Sequence, residues 1–416
     1  MDRLTIYPTQ RLHATIQLPA SKSISNRALL INALSHSTFV PENVSDCDDT
    51  RVMLAALRNM PEVIDIGAAG TAMRFLTAYL AVTPGTHVLT GTERMRHRPI
   101  GVLVDALRQL GGQITYAGEE GFPPLCITGN DQLEGGQLTM PGNVSSQYIS
   151  ALLMIGPTLK KGLCLTLTDK IVSRPYLDMT IAMMRDFGAQ VEWEGADSIR
   201  VSPVPYTPQP YRIENDWSAA SYWYEMVALS DDPHAEVLLP GLCYESLQGD
   251  ARVRDIYNEL GVVTEFFRDK EGTNIVRLSK GQNLTCWFSY DFTHQPDLAQ
   301  TVAVTCAMLE VPFHLYGLQS LRIKETDRIA ALETELGHFG LSLEVTESAL
   351  AWEGLYRSEG DDRPAIATYE DHRMAMAFAP TSLRTGAITI LNPQVVSKSY
   401  PTFWDDLEKA GFSVCY

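Results

Sequence analysis

Paired cysteines are missing from this sequence. The seven present, at positions 47, 126, 164, 243, 286, 306 and 415, are odd in number and scattered, and none forms a Cys-x-x-Cys pair. Zinc ribbons, redox dithiols and a disulfide framework are thereby disfavoured, and reduced thiols in a cytosolic protein are expected. A basic surplus is missing too. Only 33 Lys and Arg stand against 50 Asp and Glu, a formal net charge of −17. That argues against a nucleic-acid partner or an anionic membrane surface, yet leaves room for a small anion wherever a few cations converge. The longest apolar run, near 149–159, contains Gly156 and Pro157 and falls well short of the roughly 20 residues of a membrane span. The N-terminal residues show no basic-then-apolar pattern, so no signal peptide is expected and a cytoplasmic location is assigned. Asp46, Asp48 and Asp49 lack His partners at metal-ligand spacing, so they are expected to cap a helix over 50–57 and no metal site is assigned.

What is present is a long globular chain. Its 416 residues, 45% hydrophobic and 20% charged, suit two large domains of ordinary composition. Five segments share one plan: a helical apolar pattern, a glycine, then an alternating strand-like run. They are 98–116, 174–193, 246–267, 324–345 and 400–416, and their helix-ending glycines are Gly111, Gly188, Gly261, Gly340 and Gly411. The intervals of 71 to 79 residues between these glycines point to repeated copies of one α/β unit. The segment 48–66, with Pro61 in place of the glycine, reads as a sixth, degenerate copy. Six units suggest two pseudo-symmetric three-unit domains, with a boundary near the Pro-rich stretch 203–210.

The chemistry-bearing motifs cluster at helix starts. Lys22 and Arg27 lie in the first turns of a helix that Ser21 or Ser23 can cap, and cations at that end imply an anion there. Gly70 opens a helix in Gly-Ala-Ala-Gly-Thr, where backbone amides can approach a ligand closely. Ser145, Ser146 and Gln147 open another helix, and Ser173 is placed to cap the one carrying Pro175 and Tyr176. Lys324 and Arg328 are expected four apart on one helix face. Asp371-His372-Arg373 and Ser397-Lys398-Ser399 each precede a helical run, and Arg94, Arg96 and Arg98 crowd a loop. No Walker or dinucleotide fingerprint occurs. If these starts converge, they bind a ligand with several negative groups.

The segments SKSISNRAL (21–29), GAAGTAMRF (67–75), RMRHRPIG (94–101), GNVSSQYISALLM (142–154), VSRPYLDMT (172–180), KETDRI (324–329), DHRMAMA (371–377) and SKSYPTFW (397–404) together resemble the EPSP synthase family of enolpyruvyl transferases, in the family's order. The resemblance implies an α/β fold of two pseudo-symmetric domains, 1–20 plus 214–416 and 21–213. Each has three βαβαββ-type units in an inside-out α/β barrel, with the active site in the interdomain cleft. It further implies transfer of the enolpyruvyl group of phosphoenolpyruvate to the 5-hydroxyl of shikimate 3-phosphate, without cofactor, by a monomer. Carried over by motif, Asp297 is the base, Glu325 the acid, and Lys22 bridges both substrates. Shikimate 3-phosphate is expected to meet Lys22, Ser23, Arg27, Ser145, Ser146, Gln147, Ser173, Tyr176, Asp297, Ser320 and Lys324. Phosphoenolpyruvate is expected to meet Lys22, Gly70, Arg98, Gln147, Arg328, Arg373 and Lys398. His372 is expected to position its neighbours rather than react.

The sequence departs from the family pattern at Ala68 (usually Asn), Phe75 (usually Pro), Ser320 (often Asn) and Arg174 (usually Lys). None of these removes a proposed acid, base or cation. The sister family acting on UDP-N-acetylglucosamine usually carries a Cys in the loop before Arg98-Pro99, and 90–98 contains none. A non-catalytic binder would not need both Asp297 and Glu325.

Overall fold

In the computed structural model, which describes residues 2–361 and 364–416, the recurrent glycines sit where the chain leaves a helix for an edge strand. Gly111, at φ +101°, follows the helix Gly101–Gln109 and precedes the strand Gln113–Tyr116. A left-handed residue there lets the chain reverse at no steric cost. Gly188, Gly340 and Gly411 also have positive φ. Gly261 departs from the expected role. It lies inside the strand Leu260–Arg268, where the pairing register slips between Leu260 and Val262, so it serves a bulge rather than a helix end. In the degenerate copy, Met60 takes the left-handed position (φ +40°) after the helix Asp48–Asn59.

The chain divides into two compact units, Met1–Pro19 with Glu214–Tyr416, and Ala20–Ile213. Five four-stranded sheets share one order: a parallel pair, then two antiparallel partners, with the strand that follows the helix-glycine junction at the edge. Gly136–Pro141, Leu163–Thr168, Ser198–Val201 and Val191–Glu194 form such a sheet in the Ala20–Ile213 unit. In the other unit, Phe288–Asp291, Phe313–Tyr316, Ala349–Trp352 and Glu344–Val345 repeat it. With their helices these are βαβαββ units. The first residues complete two further sheets of that unit. Arg3–Tyr7 pairs antiparallel with both Ile388–Leu391 and Ser413–Cys415, and His13–Thr15 runs parallel to Glu236–Pro240. That pairing explains why residues 1–19 belong with 214–416. The six junctions give five sheets, because the strand Val63–Asp65 of the degenerate copy joins the sheet that also holds Gln113–Tyr116. Between the helices Lys22–Leu34 and Asp48–Asn59, Glu42 makes a single-residue bridge with Arg212.

Each unit has its own apolar core. At its centre lie helices buried on every side: Gly70–Val82 and Ser146–Ile155 in one, Trp217–Leu229, Ala299–Met308 and His372–Phe378 in the other. A helix apolar all round can only be an inner element, while the strands alternate buried and accessible residues outside it, as in Leu163–Thr168. The Pro-rich stretch 203–210 is not a loose connector. Tyr206 is buried, its hydroxyl donates to Met154 O at 2.8 Å, and Thr207 N–H donates to Phe187 O. The unit changes further on, after Ile213. Among the described residues no helix is long and apolar enough to cross a membrane.

Glu225, on the inner helix Trp217–Leu229, is completely buried, with only the Thr305 hydroxyl favouring its charged form. Burial pushes this carboxyl well above the ordinary range. Unfolding releases the shift, so the unfolded chain ionises first as pH rises and the folded state loses stability above the ordinary carboxyl pKa. Glu225→Gln is expected to raise Tm above wild type by more at high pH than at low pH. A few °C is the expected scale, since ~1 kcal/mol moves Tm of such a domain by roughly 2–4 °C. Thermal melts across pH check it, and a pH-independent difference would count against the buried acid.

Candidate active site

In the unit containing Glu214–Tyr416, the site is built around one guanidinium. Asp327 caps the helix Arg328–Gly337, accepting from Ile329 N and Ala330 N at 3.1 Å each, and so fixes Arg328 as its first residue. The helix begins later than the sequence suggested. Lys324 lies before it in extended backbone, so Lys324 and Arg328 do not share a helix face; they meet at Asp297 instead. Arg328, with a 2% exposed side chain, directs Nε to Asp371 Oδ2 (2.7 Å), Nη1 to Asp297 Oδ1 (3.0 Å) and Nη2 to Glu325 Oε2 (3.0 Å). Burial alone would weaken its charge, but Asp371, Glu325 and Asp297 raise its pKa above the free value.

The other cations close around the same acids. Arg373 Nη2 is 3.2 Å from Asp297 Oδ2, Lys324 Nζ is 3.5 Å from Asp297 Oδ1, and Lys398 Nζ is 2.8 Å from Glu325 Oε1. Burial would raise the Asp297 carboxyl, but Arg373, Lys324 and Arg328 hold it well below the carboxylate range, against the charge of Glu325. Burial also lowers Lys324, with Asp297 pulling it back up. Asp297 is not a helix cap. It sits in the turn Pro296–Leu298, and the helix Ala299–Met308 begins without a side-chain cap. Ser320, in the turn Gln319–Ile323, is half-buried and makes no side-chain hydrogen bond to this cluster. His372 is 1% exposed, its Nδ1 3.7 Å from Asp371 Oδ1.

In the Ala20–Ile213 unit, Ser21 caps the helix Lys22–Leu34, accepting from Ile24 N. Lys22 Nζ is 3.6 Å from Asp49 Oδ2. The expected acidic cap of the next helix does not form: it begins at Asp48 after Cys47, which makes no side-chain cap bond. Asp48 and Asp49 serve its first turn, where negative charge suits the dipole. Arg27 is 2% exposed, and its hydrogen-bond partners among the described residues are neutral: Thr180 Oγ1 (2.7 Å), Ser23 O (3.0 Å), Ser150 Oγ (3.1 Å) and Tyr176 O (3.5 Å). The rings of Phe75 and Tyr176 lie 5.3 and 5.9 Å from its guanidinium carbon. Burial lowers its pKa to about 10. Phe75, one of the departures from the family pattern, therefore packs against a cation the site is expected to use.

Ser145 caps the helix Ser146–Ile155, accepting from Gln147 N, and Gln147 Nε2 donates to Thr71 Oγ1 at 3.1 Å. Ser146 is buried. Ser173 does not cap as expected. Its backbone is left-handed (φ +53°) and its hydroxyl makes no cap bond to the helix Arg174–Asp186; a strained non-glycine residue is a common mark of a functional position. Gly70 opens the helix Gly70–Val82, and a Cβ there would lie 2.6 Å from Arg74 Nη1 and 2.7 Å from Arg98 Nη1. A side chain at this position would push both guanidinium groups aside. The arginine-rich loop proves to be a one-turn helix, Glu93–Arg96, capped by Thr92.

Three residues of these clusters were not among the expected site residues: Asp371, Asp49 and Arg74. Asp371 had a signal, standing directly before a helical run as a cap; it accepts from Arg373 N at 2.9 Å while binding Arg328. Arg74 is four residues after Gly70, and its Nη1 turns back to Gly70 O. Asp49 had none, because its partner Lys22 lies on another helix.

The chain matches the family model described as EPSP synthase (3-phosphoshikimate 1-carboxyvinyltransferase) over residues 6–64 and 60–407. It is 56% identical over 420 aligned residues to a 3-phosphoshikimate 1-carboxyvinyltransferase of Bacteroides fragilis, covering 100% of this chain and 99% of that one. To the one of Haemophilus influenzae it is 36% identical, over 98% and 99% of the two chains. Among solved structures, an EPSP synthase from Acinetobacter baumannii superposes with a TM-score of 0.78 at 24% identity, over the whole of both chains. The enolpyruvyl transferase NikO from Streptomyces tendae gives 0.72 at 16%, over 99% and 98%. These two likenesses show the fold.

Removing Arg328 would leave Asp371, Asp297 and Glu325 short of their shared counter-charge. Arg328→Ala is expected to destabilise by about 3–5 kcal/mol, the usual cost of breaking a buried ion pair from one side, with Arg328→Lys intermediate. Urea unfolding followed by circular dichroism checks this; an unchanged transition would refute the central role given to Arg328.

Proposed function

The chain belongs to the EPSP synthase (3-phosphoshikimate 1-carboxyvinyltransferase) family, and on that premise we propose that it transfers the enolpyruvyl group of phosphoenolpyruvate to the 5-hydroxyl of shikimate 3-phosphate, releasing phosphate. The observation that carries this reading is the meeting of two carboxylates, Asp297 and Glu325, on the single buried guanidinium of Arg328, with Lys324, Arg373 and Lys398 around them. Addition requires one group to take the hydroxyl proton and another to protonate C3 of phosphoenolpyruvate as the oxygen bonds to C2. Asp297 takes the first proton and Glu325 supplies the second. The tetrahedral adduct then loses a C3 proton and phosphate to give the enol ether. The proposed chemistry needs no metal and no organic cofactor.

Charge supports this division of labour. Three cations depress Asp297 in the arrangement described, and a strongly depressed carboxylate is a weak base. A phosphoenolpyruvate carboxylate on Arg373 and Arg328, or a phosphate on Lys324, draws off part of that positive field and makes Asp297 more basic as the substrates arrive. Glu325 lies 2.8 Å from Lys398 Nζ, which in this reading also meets the phosphate of phosphoenolpyruvate. Lys22, Gly70, Arg98 and Gln147 contribute to the phosphoenolpyruvate site. Lys22, Ser23, Arg27, Ser145, Ser146, Gln147, Ser173, Tyr176, Asp297, Ser320 and Lys324 hold shikimate 3-phosphate. The enzyme acts as a cytoplasmic monomer in the same reading, which light scattering and cell fractionation test.

Phosphate release should appear when purified protein meets phosphoenolpyruvate and shikimate 3-phosphate, and not with UDP-N-acetylglucosamine as acceptor. Glu325→Gln should lower kcat by about 10²–10⁴-fold, the range for losing a general acid, with unchanged circular dichroism. Release with the sugar nucleotide instead, or full activity in the variant, would sink the assignment. Gly70→Ala should raise KM for phosphoenolpyruvate roughly tenfold, the equivalent of ~1.4 kcal/mol, because the new methyl displaces two guanidinium groups. Steady-state kinetics with each substrate varied checks that selectivity; an equal rise for shikimate 3-phosphate would contradict it.

A further inference from the structure

The turn Gly249–Arg252 carries a carboxyl to which the proposed reaction gives no part. Asp250 is 3% exposed, and its Oδ2 accepts from the Ser218 hydroxyl in the first turn of the helix Trp217–Leu229. The turn is anchored to that helix start on a second side. Gln248 Oε1 accepts from Trp217 N at 3.1 Å, and its Nε2 donates to Asn215 O at 2.8 Å. The other oxygen of Asp250, Oδ1, is buried and has no hydrogen-bond partner among the described residues. A buried acceptor left unpaired is costly, so the arrangement is expensive as a purely structural one.

The charged surroundings of Asp250 lead to the reaction centre. Asp216, the cap of the Trp217–Leu229 helix, and Asp297 both repel its negative form, while Arg373 and the Ser218 hydroxyl favour it. The Tyr290 phenol on the strand Phe288–Asp291 responds to the charge of Asp250. On the adjoining helix Val253–Asn258, Asp255 is paired with Arg252 at 2.6 Å. Burial first, then the charge of Asp297, raises Asp250 to about 7. Arg373, with Nη2 on Asp297 at 3.2 Å and Nη1 3.5 Å from the Tyr222 hydroxyl, is thus a cation on which two carboxyls act.

We propose that Asp250 is a positioning residue that governs how much of the Arg373 charge is available to the carboxylate of phosphoenolpyruvate. As a neutral acid it leaves the guanidinium to Asp297 and the substrate. As an anion it competes with the substrate carboxylate for the same positive field. This rests on the reading above, in which Arg373 receives that carboxylate. The group titrates upward: its negative charge appears as pH rises through about 7, so phosphoenolpyruvate binding weakens on the alkaline side. The effect belongs in KM for phosphoenolpyruvate and not in KM for shikimate 3-phosphate.

The test is KM for phosphoenolpyruvate and kcat from about pH 6 to about pH 9 for wild type, Asp250→Asn and Ser218→Ala, each pair compared at the same pH so that ionisation of the substrate cancels. Wild type should show a rise in KM of about tenfold, equivalent to one pKa unit of differential interaction. Asp250→Asn should hold the low KM of the acid limb throughout. Ser218→Ala removes a donor to the charged form and should move the rise to higher pH, which keeps the idea testable should Asp250→Asn fold poorly. Wild type and Asp250→Asn showing the same KM profile, a pH step in kcat alone, or no displacement in Ser218→Ala would each overturn the proposal. Arg373→Gln separates the two levels. An unchanged KM for phosphoenolpyruvate in that variant would remove the underlying reading and the proposal with it. A large rise there with an inert Asp250 would overturn the proposal alone.

Discussion

A guanidinium taken out of water has to be met by negative charge, and in the unit containing Glu214–Tyr416 that requirement organises the reaction centre. Arg328 is almost fully buried and bonded to three carboxylates, an arrangement that tolerates the desolvation of a charge because every partner is charged and well aimed. Its position follows from helix capping. Asp327 starts the helix at Arg328, and Asp371 caps a second helix with one oxygen while binding Arg328 with both. Asp297 and Glu325 are therefore held by a group whose own place is set by backbone hydrogen bonds. In the proposed reaction these are the base and the acid, and a shared cation keeps each within a narrow range of geometry.

The two units treat positive charge differently. Around Arg328 the cations are paired with acids, so proton chemistry is available. In the Ala20–Ile213 unit, Arg27 is held by hydroxyls, carbonyls and aromatic faces, and Arg74 and Arg98 crowd the helix start at Gly70. In the proposed reading such groups bind anions without offering a proton acceptor. This division suits an enzyme whose substrates carry several negative groups but whose proton transfers need only a few acid–base groups. In the same reading a chain of net charge −17 serves anionic substrates through a few locally concentrated cations.

Helix periodicity, the recurring glycines and the cap residues were legible because each depends on contacts within one turn or one reversal of the chain. The interval between glycines exposed the repeat, and Ser21 and Ser145 stand where their caps form. Ser173 misled for a local reason, since its backbone is left-handed rather than extended and its side chain makes no cap bond. Gly261 misled because a bulge and a helix end impose the same positive φ. The degenerate copy counted as a unit in sequence, but its strand pairs into a neighbouring sheet, which no local pattern reveals.

By itself the sequence determined which residue types stand at which helix starts, that the α/β unit recurs, and, through eight motifs in order, the family. Local backbone preference and motif spacing are sufficient for that. Only the tertiary structure decided that Lys324 and Arg328 meet at Asp297 rather than along a helix face, that Lys22 pairs with Asp49, and that residues 1–19 complete sheets begun after Glu214. It also decided that Asp250, unremarked in the sequence, lies within the field of Arg373 and Asp297. Each of these joins residues far apart in the chain or across a helix boundary. Their energies come from burial and from charges brought close together, and neither exists until the chain has folded.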